Sequence, residues 1–235
     1  MTYSEQDYHE LFFVGALRML KLLEPYGFIF HKYSRSYRDD SVSFTQKSRW
    51  WAGKRKVSIW NEGPVWMAII DTIGLFQHTI LRHEIVAKAP HETRAASFCR
   101  LAELVMKDIT GASDPDSIVS VMASDSLSSE ELFCTSVMRA FNYLIDKYDY
   151  EVRSVSFNGL EATICFTQRI YRKKRRKVMI RAQDHYQRVS VLFTERSVIR
   201  FCSDQTVFAV SADDKNTSIE TLSQQFYCEY LKYAS

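Results

Sequence analysis

The stretch Phe166-Thr167-Gln168-Arg169-Ile170-Tyr171-Arg172-Lys173-Lys174-Arg175-Arg176-Lys177-Val178-Met179-Ile180 decides how the chain reads, because its frame occurs twice. Earlier, Phe44-Thr45-Gln46-Lys47 leads through Trp50-Trp51-Ala52-Gly53 to Lys54-Arg55-Lys56-Val57-Ser58-Ile59. Apolar and polar residues alternate on either side of a short polar turn, which is the pattern of a half-buried β-hairpin.

Working outward, the flanks correspond as well. Glu131-Leu132-Phe133 answers Glu10-Leu11-Phe12, Arg139 answers Arg18, and Leu144 answers Leu23. After a one-residue slip, Tyr148 answers Tyr26 and Ser156 answers Ser34. The expected fold class is α+β, a tandem duplication of a helix–antiparallel sheet–helix unit. Each sheet has four to five strands, and the two units are related by a pseudo-twofold axis, as in a homodimer fused into one chain. The competing reading is two similar hairpins inside one unrelated α+β domain. The expected bounds are 1–111 for a first α-β-β-β-β-α repeat, 112–129 for a linker with a short helix, and 130–235 for a second repeat.

Local signals support these elements. Ser4-x-x-Asp7 resembles a capping box, and Leu11, Phe12, Val14, Leu17, Leu20, Leu22 and Leu23 follow at helical spacing. Pro25 and Gly27 end that helix. Phe28–Tyr33, Val42–Gln46, Lys54–Trp60 and Val65–Ile70 read as strands, with Asp39-Asp40 as a turn. Gly74–Ile80 and Glu84–Ala87 are candidates for one more. A second helix runs over His91–Ile109, with Gly111 as its C-cap. Asp114-Pro115-Asp116 starts a short helix to Met122, and Ser128-x-x-Glu131 is a capping box that opens the second copy. Val189–Phe193, Val198–Phe201 and Thr206–Val210 are its later strands. Thr217-x-x-Glu220 caps a last helix over Ser218–Lys232.

Composition bounds the rest. Apolar residues make up 46% and charged residues 25%, which suits a packed core and argues against disorder. The net charge of +3 is too small to decide a partner, so its distribution matters more. Five cysteines, Cys99, Cys134, Cys165, Cys202 and Cys228, show neither a C-x-x-C pair nor zinc spacing. Reduced, mostly buried thiols are expected. An acidic start without a basic n-region, and no apolar run of membrane-spanning length, lead to an expected cytoplasmic location without membrane contact.

No catalytic constellation, P-loop, G-x-G-x-x-G, G-x-S-x-G or H-E-x-x-H occurs. No enzyme activity, cofactor or metal is therefore expected. His78, His83 and Glu84 lack ligand spacing, and His185 lacks a nucleophile to serve. A metal-dependent nuclease built on scattered Asp and His is the weakest alternative.

Binding residues concentrate in the two hairpins: Trp50, Trp51, Lys54, Arg55 and Lys56 in one, and Arg169, Tyr171, Arg172, Lys173, Lys174, Arg175, Arg176 and Lys177 in the other. Two readings follow. One is a non-enzymatic protein-binding module, an inhibitor, immunity-type, chaperone or regulatory protein. Its partner is another protein, an acidic one among the options. The other is nucleic-acid binding through the basic hairpin at 169–177, its charges on phosphates and its ring stacked on a base. Monomer and dimer both remain open. The shared residues are strand framework; the tips differ, and specificity is expected there.

Overall fold

A computed structural model describes residues 5–35, 39–46, 54–62, 65–74, 79–87, 94–112, 114–124, 126–170, 174–184, 186, 188–197, 205–212 and 218–234. They form an α+β arrangement that divides into two compact units, Met1–Leu127 and Ser128–Ser235.

The first unit opens with α1, Glu5–Leu23. A single 3-10 turn, Glu24–Tyr26, ends it at Gly27, whose φ of 80° lies in the left-handed region that favours glycine. A five-stranded antiparallel meander follows in the order β1 (Phe28–Arg35), β2 (Asp40–Gln46), β3 (Lys54–Glu62), β4 (Val65–Ile73) and β5 (Thr79–Ala87). Next come α2 (Arg94–Thr110) and α3 (Pro115–Met122). Gly111, at φ 75°, closes α2 by donating to the Lys107 carbonyl at 2.9 Å. Asp114 caps α3 by accepting from Ser117 N.

Strand alternation sends Phe30, Tyr33, Val42, Phe44, Val57, Ile59, Ala68 and Ile70 to one side of the sheet, where all are buried. Helices cover that side. Phe13 of α1 meets Phe30 and Tyr33 edge-on, Phe12 stacks on Trp66 at 5.4 Å, and Phe98 of α2 meets Trp66 at 4.7 Å. α3 is packed rather than loose: Ile118 and Met122 are buried, and Arg18 of α1 donates to the Met122 and Ser126 carbonyls. Those acceptors include a carbonyl that the end of α3 leaves without a helical partner.

The second unit begins with α4 (Ser129–Ala140), where Ser128 and Glu131 exchange the two hydrogen bonds of a capping box. A short helix α5 (Asn142–Asp146) leads into β6 (Glu151–Asn158), β7 (Glu161–Ile170), β8 (Lys174–Gln183), β9 (Arg188–Ser197) and β10 (Gln205–Ala212). These pair as a second antiparallel meander. α6 (Ile219–Ala234) covers it: Phe226 and Tyr230 meet Phe193, and Phe141 meets Phe166 and Phe226.

Each unit contributes five strands, within the expected four to five. Several details differ from the sequence reading. The pair Asp39-Asp40 is not simply a turn: Asp40 opens β2 and is wholly buried. α6 is capped by Ser218, whose Oγ accepts from Thr221 N at 3.2 Å, while Thr217 lies outside the described residues. Ser4, His91 and the expected strand at 198–201 also lie outside them. Cys134 and Cys165 are buried, but Cys228 is exposed on α6 because it falls on that helix's solvent side.

Candidate functional site

The two hairpins are built alike rung by rung. In β1 and β2, Phe30 faces Phe44, and the register slips between Phe30 and Lys32. In β6 and β7, Val152 faces Phe166, and the register slips between Val152 and Ser154. Phe44 then faces Val57 as Phe166 faces Val178. Gln46 Nε2 donates to the Tyr26 carbonyl at 3.0 Å, and Gln168 Nε2 donates to the Tyr148 carbonyl at 2.5 Å. The glutamine of each Phe-Thr-Gln thus ties its hairpin to the chain just ahead of the first strand.

Alternation divides the basic residues between the two sides of each sheet. Arg55 and Arg176 share parity with Val57 and Val178, so they fall on the helix-covered side. Arg55 Nη1 donates to the Ile109 carbonyl near the end of α2, at 3.3 Å, where a cation complements the helix dipole. Arg176 Nε donates to Glu195 Oε2 at 3.0 Å, and its guanidinium lies 5.9 Å from the Tyr230 ring centre. Both have partners within their own unit. Lys174 opens β8 opposite Ile170 and Ser197.

The other parity belongs to the sheet face that, among the described residues, no helix of the same unit covers. In the first unit one rung runs Thr45–Lys56–Asp71–Arg82. Asp71 sits directly across from Lys56 and accepts from Arg82 Nε at 2.9 Å, so charges there are matched. Lys54 stands opposite Ile73, and half-buried Trp60, Met67 and Ile69 extend this face.

The second unit departs from that balance. Its corresponding rung is Thr167–Lys177–Thr194–Thr206, with threonine where the first unit has Asp71. The adjacent rung is Arg169–Arg175–Arg196, three cations in register. On the other flank, Met179 and Leu192 share a rung with Cys165, and beyond them Arg181 lies between Thr163 and Ser190. Arg181 Nε is shielded from solvent and has no acceptor among the described residues. Glu151, at the β6 end of the Lys177 rung, is engaged by Arg153 Nη2 at 2.6 Å. Trp50, Trp51, Tyr171, Arg172 and Lys173 lie outside the described residues.

Two polar clusters were not foreseen from sequence. In the first unit, buried Asp40 accepts from Tyr33 OH at 3.1 Å and has His9 Nδ1 at 2.6 Å and Arg35 Nε at 3.7 Å. Burial, reinforced by the Asp40 charge, pushes the Tyr33 hydroxyl far above its ordinary range. The cluster ties α1 to β1 and β2 and compensates a carboxylate held out of water. In the second unit, Tyr150 OH donates to Tyr230 OH at 3.3 Å, and burial raises the Tyr150 hydroxyl strongly. Beside it, Lys147 Nζ donates to Tyr227 OH at 2.9 Å and lowers that phenol's pKa. The doubled Asp39-Asp40 and the Tyr-rich segments were visible in sequence; their meeting depends on tertiary packing.

At the first unit's far edge, His83 Nδ1 lies 2.5 Å from Asp108 Oδ1. No helix among the described residues is long and apolar enough to cross a membrane. Compared with known proteins, the chain matches no family model, no curated protein and no solved structure.

Proposed function

We propose that the protein is a non-enzymatic binding module, made by duplication of one helix–sheet–helix unit, that takes an acidic protein partner on the uncovered sheet face of its second unit. The observation that carries this reading is the Arg169–Arg175–Arg196 rung, whose first-unit counterpart pairs Lys54 with Ile73, beside the Lys177–Thr194 rung, where the first unit has the balanced Lys56–Asp71–Arg82 arrangement. The duplication is supported by the shared register, the shared bulge and the two glutamine-to-carbonyl bonds. Divergence of one copy's face while the framework is kept is what specialisation of one binding surface looks like.

A protein partner suits this face better than nucleic acid. Met179 and Leu192 lie between the basic rungs and Arg181, a mixture typical of protein interfaces. Among the described residues, the uncovered face of β7 to β9 offers no aromatic ring on which a base could stack.

The test is capture from the native cell with the wild-type chain and with Arg175→Glu/Lys177→Glu/Arg181→Glu, read by mass spectrometry. A defined acidic protein should be retained by wild type and lost, by about tenfold or more, with the triple reversal. Retention that nuclease treatment abolishes supports the nucleic-acid reading instead. Equal retention by both chains removes the face from consideration.

A further inference from the structure

Strand β5 ends the first unit's sheet: β4 pairs with one side of it, and no strand among the described residues pairs with the other. A free edge is a template for another strand, and proteins commonly blunt it with short strands, proline, charged side chains (lysine above all) or bulges. β5 is nine residues long, Thr79-Ile80-Leu81-Arg82-His83-Glu84-Ile85-Val86-Ala87, and contains neither proline nor lysine. Its register break lies at the extreme end, where Ile80 is skipped, so Leu81 to Ala87 run regularly. Leu81 is 65% exposed and Val86 55% exposed.

The sequence of this edge is complementary to itself. Let a second copy run antiparallel beside it with His83 opposite His83, keeping the helix layers of both copies on the same side. Arg82 then faces Glu84 of the other copy, and Glu84 faces its Arg82. Leu81 faces Ile85. Each of these pairs matches charge with opposite charge or apolar with apolar. Moving the centre by one residue in either direction, to Arg82 or Glu84, sets like charges against each other. Arg82 is already held on its face by Asp71, with Nε at 2.9 Å from Oδ1 and Nη2 at 3.5 Å from Oδ2. His83 is held on the opposite face by Asp108.

We propose that β5 is a homodimerisation edge, joining two copies of this chain by antiparallel β5–β5 pairing centred on His83. The contact is isologous, each copy offering the same strand, so it closes at two copies rather than growing. It rests on the edge strand alone and does not depend on the reading of the second unit's basic face.

The experiment is sedimentation velocity on the full chain, with circular dichroism to confirm folding of each variant. Wild type should sediment as a dimer. Glu84→Arg and Arg82→Glu each set like charges across both symmetric pairs, and each should weaken association by about tenfold or more. Mixing the two variants sets a strand with acids at both positions against a strand with arginines at both, so the mixture should recover the dimer. A monomeric wild type at about 100 µM, far above the Kd of a specific dimer, overturns the proposal. So does a dimer that both reversals leave intact, or a mixture that stays monomeric. Should either reversal unfold the chain, His83→Cys decides. Mild oxidation should then join the two introduced thiols in an intermolecular disulfide, located by peptide mass spectrometry, and its absence overturns the pairing.

Discussion

At the residue scale, buried phenols set how the molecule responds to alkali. Tyr33 and Tyr150 are almost wholly shielded from solvent, and burial keeps each protonated far above the range of a free tyrosine. Their folded pKa values are raised, so the stability they contribute is complete below the unfolded value and is lost as pH rises beyond it. Above about pH 10, each should remove about 1.4 kcal/mol of stability per pH unit, because unfolding releases its proton. Tyr33→Phe and Tyr150→Phe should therefore each flatten the fall in denaturant-measured stability between about pH 10 and 11.5. Superimposable slopes for wild type and both variants would show that these hydroxyls ionise in the folded state. Only part of this was legible beforehand. Thirteen tyrosines announce aromatic packing, yet nothing local says which will lose water. Asp40 shows the same gap: an Asp-Asp pair signals a turn on chain-local grounds, and tertiary contacts with His9, Tyr33 and Arg35 decide otherwise.

At the scale of elements, α1 and α2 touch through a missing side chain. A Cβ on Gly15 would stand 2.6 Å from Phe98 Cε1 and 2.9 Å from Cδ1. The ring has little room to yield, since it packs against Trp66 and Phe12 on its other sides. Gly15→Ala gains about 1 kcal/mol of helix propensity and loses about 1–3 kcal/mol to overpacking, so net destabilisation is expected. Combining it with Phe98→Leu should cost less than the sum of the two single changes, a coupling that a double-mutant cycle on urea midpoints would measure. Strictly additive costs would place Gly15 and Phe98 out of contact. Most elements were readable because their signals are local: alternation in β2 and β3, the Ser128-x-x-Glu131 box, Gly27 and Gly111 as stops. β5 was blurred because the skipped Ile80 breaks the period of two that reveals a strand. The division of basic residues between two faces was implicit in the alternation of 174–177. Its consequence, that Arg55 and Arg176 find acceptors inside their own units, required Ile109 and Glu195 to be in place.

At the scale of the molecule, each unit carries its own aromatic core. Phe12, Phe44, Trp66 and Phe98 are buried in one; Phe141, Phe166, Phe193 and Phe226 are buried in the other. A unit that encloses its own core must spell out a complete framework, which is why Phe-Thr-Gln and Arg-Lys-Val-x-Ile stand out twice in the sequence. The surface chemistry laid over it follows no period and had to wait for the register. The distribution of tryptophan allows the independence of the cores to be tested. All four tryptophans, Trp50, Trp51, Trp60 and Trp66, belong to the first unit, so indole fluorescence follows that unit, whereas far-ultraviolet dichroism follows both. Phe193→Ala removes a fully buried ring from the second core and should cost about 3–5 kcal/mol there. In denaturant, the dichroism transition should become biphasic, with an early phase belonging to the second unit. The fluorescence midpoint should stay at the wild-type value, since the ring removed packs on Phe226 and Tyr230 of its own unit. A fluorescence midpoint that falls together with the dichroism would mean that the two cores melt as one cooperative body.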